Sequence, residues 1–179
     1  SLDFARQNGL AVLPRGGGTS QCGQTVNHAL VLDQTKHLNK ILSLDVENRR
    51  CVVEPGIVLD DLNRQLKPHG LWFPVDVSTS SRATIGGMAG NNSWGGRSLR
   101  YGIMRDNVHS IKAILSDGTE AVLGPLDEST LTGKLGEIWP ELKAMGQDNE
   151  ALIQDKFPKV LRRVGGYNID ALINDAMAA

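Results

Sequence analysis

The sequence predicts an α+β fold, with a small β-α-β part first, antiparallel strand pairs after it and helices towards the C-terminal end. Three observations carry that expectation. Short apolar runs bounded by turn residues recur at 10–13, 29–33, 38–44, 50–54, 108–116 and 119–123, which is strand grammar. Apolar residues at helical spacing occur elsewhere, at Val58, Leu59, Leu62 and Leu66 and again at Ile138, Leu142 and Met145. Of the 20 glycines, half concentrate in two stretches, 16–23 and 86–102, as happens where backbone must come close to something.

Taken in order, Leu2 to Asn8 reads as the last turns of a helix closed by Gly9, so the chain is expected to be trimmed at its start. Leu10 to Leu13 forms a short buried strand, 14–20 a loop, and Ala29 to Asp33 a second strand, parallel to the first in a β-α-β rhythm. Residues 38–44 and 50–54, joined by the polar stretch 45–49, make a hairpin. The breaker pair Pro55-Gly56 then introduces one amphipathic helix that ends at Pro68-His69-Gly70. Leu71-Trp72-Phe73 runs into Pro74, and the Ser/Thr-rich stretch 75–83 is a loop of the kind that carries sites.

Thr84 is placed to cap a helix over 84–92, whose small residues allow close approach of a neighbour or ligand. Residues 93–102 hold too much glycine for regular structure. Asp117-Gly118 between alternating runs is the strongest hairpin signal in the chain. From Leu126 to Lys156 two or three helices are expected, then an interruption at Gly165-Gly166-Tyr167-Asn168, then a helical pattern over 169–176.

Composition removes several functions. A formal net charge of -1, with no basic run longer than two residues, offers no general field for nucleic acid or anionic lipid. No stretch approaches the roughly 20 apolar residues of a membrane span. Cys22 and Cys51 are too few for a disulfide framework and have no metal-ligand spacing, so they read as thiols of a cytoplasmic protein. His28, His37, His69 and His109 are scattered without metal spacing or a nearby nucleophile, and no metal site is expected.

The stretch Pro14-Arg15-Gly16-Gly17-Gly18-Thr19-Ser20 carries the chemistry. Three successive glycines strip side chains from a bend in the backbone, exposing amide hydrogens that can point into one concavity, and two hydroxyls follow. Such a loop suits phosphate. It also suits a plain flexible turn, because glycine adopts positive φ without needing a ligand. It is neither a Rossmann fingerprint, which would open an apolar helix, nor a Walker loop, which would need a Lys-Ser or Lys-Thr pair.

Three separated pieces, Pro14 to Ser20, then Ala83-Thr84-Ile85-Gly86-Gly87 with Asn92 and Tyr101-Gly102, then Gly166-Tyr167-Asn168-Ile169-Asp170, resemble in order and spacing the flavin-binding domain of FAD-linked oxidases related to p-cresol methylhydroxylase (PCMH) and vanillyl-alcohol oxidase. Within that family the chain is most similar to D-2-hydroxyacid dehydrogenases acting on D-lactate or D-2-hydroxyglutarate. Pro68-His69-Gly70-Leu71-Trp72-Phe73-Pro74 resembles the large bacterial forms that add a C-terminal iron–sulfur part.

The resemblance implies a PCMH-type FAD-binding domain of two subdomains, 1–45 and 46–125, the second built on a larger mixed or antiparallel sheet with flanking helices. Residues 126–179 would then be a helical segment leading towards a cap domain outside the chain, and both ends of the chain would be truncated. It places the FAD pyrophosphate on Arg15 to Ser20. Thr84, Ile85, Gly86, Gly87, Asn91, Asn92 and Ser93 would line the other side, Pro74 with Ser78, Thr79 and Ser80 would lie near the flavin ring, and Tyr101 with Gly102 would close the pocket. Thr19 stands where related oxidases often carry a flavin-linked His, so the FAD is expected to be non-covalent.

The implied reaction is hydride transfer from a D-2-hydroxyacid to the flavin, giving a 2-oxoacid. Arg162, Tyr167 and Asn168 are the candidates for the substrate side. The catalytic base, the electron acceptor and any iron–sulfur cluster belong to parts outside the chain, and peripheral membrane association of a longer protein stays open. The alternative is a non-catalytic flavin- or nucleotide-binding module serving a separate catalytic subunit. Gln21, Cys22 and Trp94 depart from the family pattern.

Overall fold

The computed structural model describes residues 1–125, 131–160 and 166–174. The chain divides into two compact units, Ser1–Asn107 and Val108–Ala179. The α+β expectation holds, with helices and short strands interleaved along the chain.

In the first unit helix α1, Leu2–Gln7, ends at Asn8, and Gly9 follows at φ 61°. Strand β1, Val12–Arg15, pairs in parallel with β2, Leu30–Asp33. The helix of this rhythm precedes β1; the crossover 16–29 itself is turn and bend. Pro14 fits in β1 because a two-stranded sheet leaves one edge of each strand without a ladder. After β2, the Asp33 carboxylate accepts from the Thr35 backbone N–H at 2.8 Å and from its hydroxyl at 2.6 Å, turning the chain.

Strands β3, Ile41–Asp45, and β4, Arg50–Val53, form the expected antiparallel hairpin, closed by Asp45 accepting from Asn48. Helix α2, Leu59–Leu66, buries Leu59, Leu62 and Leu66, while Asp60 and Asp61 sit in its first turn, where the helix dipole favours negative charge. A short 3-10 turn, Lys67–His69, ends it at Gly70, whose φ is 69°. Asn63 on α2 then accepts from the Phe73 N–H at 2.7 Å and draws the returning chain back onto the helix.

Helix α3, Ile85–Gly90, has a poor helix-forming sequence and exists by capping and burial. Thr84 accepts from the Gly87 N–H at 3.3 Å, and Ile85 and Met88 are buried. Two single helical turns follow: α4, Ser98–Tyr101, inside the stretch 93–102 whose glycine content predicted irregular chain, and α5, Met104–Asn107, just after it. The core of this unit includes Ile57, Leu59, Leu62, Val75, Met88 and Met104, each at most 2% exposed, with Thr84 at 1% and Ser93 at 8% as buried polar members.

The second unit opens with the expected hairpin, β5, Ile111–Ile114, and β6, Glu120–Leu123, turning through Asp117-Gly118. The larger sheet expected after the β-α-β part is thus present as two hairpins, one in each unit, each a separate two-stranded sheet. Helix α6, Gly133–Asp148, tolerates Pro140 in its interior and buries Leu135, Trp139 and Gly146; α7, Glu150–Lys156, follows. A 3-10 helix, Ile169–Asn174, packs on α6 where Gly146 leaves room for Leu172. The parts of the helical readings that fall on 126–130, 161–165 and 175–179 lie outside the described residues.

Candidate functional site: a groove between two glycine segments

The two glycine clusters meet. A Cβ on Gly16 would overlap the Thr84 hydroxyl, and one on Gly17 would overlap the Arg82 carbonyl, so the first loop lies directly against residues 82–84. Only glycine permits that approach. Thr84 is the joint, because the hydroxyl that caps α3 also abuts Gly16.

The second segment is itself pinned by the chain 55–60. Gly86 N–H donates to Pro55 O at 2.8 Å, Ile85 N–H to Ile57 O at 2.9 Å, Leu59 N–H to Ala83 O at 3.0 Å and Asp60 N–H to Ser80 O at 3.1 Å. Gly56 in turn donates to Leu38 O at 2.7 Å, just beyond the turn that follows β2. This ladder holds the helix α3 entrance in register with the loop after β1.

Between these segments runs a groove of about 910 Å³, within the range that binds small ligands and cofactors. All of Pro14 to Ser20 lines it, as do Ser78, Thr79, Gly86, Gly87, Asn91 and Ser93. The other candidates lie elsewhere. Pro74, Ser80, Thr84, Ile85, Asn92, Tyr101 and Gly102 are not on its wall. Thr84 and Ile85 are buried behind it. Asn92, at φ 45°, accepts from the Arg105 N–H at 3.2 Å and so fixes the following loop. Tyr101 meets Trp72 edge-on with ring centroids 5.2 Å apart. Tyr167 and Asn168 belong to the second unit, where Tyr167 is 92% exposed, and Arg162 lies outside the described residues.

Several lining residues were not singled out from the sequence as ligand contacts: Gln24, Thr25, Gln34, Asp76, Gly95 and Gly96 among them. Gln21 and Trp94, noted as departures from the family pattern, also line the groove. Asp76 did carry a signal, as the one acid in the Ser/Thr-rich loop 75–83. The glutamines carried none, since neutral amides on loops are commonplace.

The donor set suits an extended anion. The backbone N–H groups of Gly16 to Ser20, and those of Val77 to Thr79, donate to no acceptor among the described residues. Hydroxyls of Thr19, Ser20, Ser78 and Thr79 stand beside them, and Arg15 is the only basic residue on the wall. Amide hydrogens and hydroxyls converging on one concavity are the arrangement that holds phosphate oxygens. Asp33, whose strand position pairs with Arg15, has its carboxyl held below the ordinary value by hydrogen bonds from Thr35 and by the Arg15 charge. No group of His, Cys, Asp and Glu that could hold a metal ion occurs among the described residues.

A groove walled by glycine-rich backbone, rich in amide donors and poor in charge, is a candidate site for a phosphate-bearing ligand. Residues 1–124 match the FAD binding domain family, and the chain belongs to it. D-2-hydroxyglutarate dehydrogenase of Pseudomonas putida is 38% identical over 162 residues, covering 87% of this chain and 16% of that protein. The protein of the same name from Escherichia coli is 36% identical over 178 residues, covering 96% of this chain and 18% of that one. The chain therefore spans less than a fifth of these relatives. Among solved structures, alkyldihydroxyacetonephosphate synthase superposes with a TM-score of 0.63 at 24% identity, over 70% of this chain and 24% of that one. A 6-hydroxy-D-nicotine oxidase from Arthrobacter nicotinovorans gives 0.61 at 22% identity, over 69% and 26%. The fold is that of these proteins.

Proposed function

We propose that this chain is the FAD-holding part of a flavin-dependent oxidoreductase that oxidises a D-2-hydroxyacid to the 2-oxoacid, with the cofactor bound non-covalently in the groove. The observation that supports this most directly is the meeting of the two glycine segments, with the amides of 16–20 left without protein acceptors beside it. The hydroxyacid substrate is inferred from the D-2-hydroxyglutarate dehydrogenases that the chain resembles.

When bound, FAD would supply the redox chemistry as acceptor of the hydride from the hydroxyl-bearing carbon, while the hydroxyl proton would pass to a base that this reading assigns to no residue of the chain. The chain's own residues bind and orient. Amides from Gly16 to Ser20 and the Thr19 and Ser20 hydroxyls hold the diphosphate. Gly86, Gly87, Asn91 and Ser93 form the facing wall, their short side chains letting a long ligand lie against backbone. Ser78 and Thr79 add donors at the loop that follows Pro74, Thr84 caps α3 against Gly16, Asn92 fixes the loop that follows, and Ser80, Ile85, Tyr101 and Gly102 complete the proposed cofactor-side set. Arg162, Tyr167 and Asn168 are assigned to the substrate side. Thr19, in place of a flavin-linked His, is the basis for non-covalent binding. The reading carries a cytoplasmic location for the chain, an iron–sulfur part only in a longer protein, and an electron acceptor supplied from outside.

The test uses the full-length gene product, purified without oxygen. It should be yellow, release FAD on acid treatment, and bleach with D-2-hydroxyglutarate or D-lactate but not with the L-enantiomers. A colourless protein that neither releases nor takes up flavin sinks the proposal. A yellow protein that no hydroxyacid bleaches leaves the non-catalytic flavin module in its place.

A further inference from the structure

Asp76 is the only acidic residue on the groove wall, and a bare carboxylate there would repel the phosphates that the surrounding amides attract. Its environment deals with that charge. Asp76 Oδ1 accepts from the Arg97 backbone N–H at 2.9 Å, and Oδ2 lies 3.7 Å from Arg97 Nε. Gly95 packs so tightly on Asp76 that a Cβ there would overlap its carbonyl and carboxylate oxygens. The Arg97 guanidinium is held in place from its other side, 5.0 Å over the Trp72 ring, which Tyr101 buttresses edge-on. Asp76 and Gly95 both line the groove, so this contact joins two of its loops, 76–79 and 94–96.

We propose that Arg97 is a positioning residue for the groove: acting through Asp76, it latches the 94–97 loop to the 76–79 loop and masks the one negative charge facing the ligand. This rests on the FAD reading above for the identity of the ligand, though the latch itself is measurable without it.

Two features separate masking from mere structural support. The carboxamide of Asp76→Asn can still accept from the Arg97 N–H but carries no charge, whereas Arg97→Ala keeps the backbone N–H bond and removes the counter-charge from the carboxylate. In the full-length protein stripped of flavin, FAD titration should show Asp76→Asn within about twofold of wild type, and Arg97→Ala about tenfold weaker at low salt. Adding salt to ~0.5 M should shrink the Arg97→Ala defect to about threefold, because an exposed like-charge repulsion is screened. The double variant Asp76→Asn/Arg97→Ala should recover most of the loss. Arg64→Ala, which breaks the exposed Arg64–Asp61 pair on α2, serves as control and should bind as wild type.

Without FAD, hydrogen exchange should show the Arg97 amide protected in wild type and in Asp76→Asn, and faster in Asp76→Ala. An Arg97→Ala defect that neither salt nor the second substitution relieves overturns the masking role, and an unprotected Arg97 amide in wild type overturns the latch. Wild-type protein that binds no FAD while showing that protection instead defeats the cofactor reading, and with it Arg97's role towards the ligand.

Discussion

One methyl group decides whether the groove has its shape. At Gly17 a Cβ would strike the Arg82 backbone carbonyl, an atom held in a loop whose neighbours Arg82 and Ala83 both donate to Thr79 O at 2.8 Å. The loop cannot yield as a flexible side chain would. Gly17→Ala is therefore expected to weaken FAD binding by about tenfold or more, equal to at least ~1.4 kcal/mol, in a flavin fluorescence titration. Arg64→Ala, on the exposed face of α2 and off the groove wall, is the control and should change affinity little. At this scale the sequence was readable where one residue has one job. Thr84 as the cap of α3 and Gly70 as the left-handed stop of the 3-10 turn follow from residue type alone. It was not readable where a residue's partner lies far along the chain. Nothing local says that Asp76 meets Arg97, 21 residues on, or that Asn92 turns its amide to Arg105 instead of to the groove.

Among the elements, the hairpins were the most legible, because turn chemistry and alternation are short-range. The β5–β6 turn also carries a charge whose effect can be signed. Asp117 accepts from the Thr119 N–H at 3.0 Å, from its hydroxyl at 2.7 Å and from the Lys134 N–H at 3.2 Å, which ties the turn to the start of α6. The backbone bond from Thr119 and then its hydroxyl hold the Asp117 carboxyl below its ordinary value of 3.8. A depressed carboxyl stabilises the fold in full above its unfolded value and loses that contribution as pH falls through the lower folded value. Asp117→Ala should thus lower the melting temperature at neutral pH, with the gap to wild type narrowing as the pH drops below 3.8. A gap that stays constant down the acid limb in scanning calorimetry contradicts this. The short helices α4 and α5 escaped the sequence because each is a single turn in which tertiary contacts outweigh propensity.

For the whole molecule, the α+β class was legible and the groove half so. The first glycine loop was marked out by its sequence and does line the groove, while the facing wall draws on loops at 76–79 and 94–96 whose approach depends on the folded unit. A ligand that grips both walls binds the native state and not the unfolded chain, and stabilises it by mass action. FAD at about 100 times its dissociation constant should add ~2.7 kcal/mol and raise the melting temperature by several degrees in a thermal shift assay. The Gly17→Ala protein should show a much smaller rise at the same FAD concentration.

The ladder from 55–60 to 80–86 has a consequence for how the protein is made. A nascent chain that has emerged only as far as the β3–β4 hairpin already contains the glycine bend of 16–18, yet lacks the 82–84 segment that it packs against. On the FAD reading, cofactor capture would wait until α3 and the 94–96 loop have left the ribosome. Until that moment the exposed bend is an unfinished half of a clasp, and a stalled or prematurely ended translation product would carry it without being able to hold flavin.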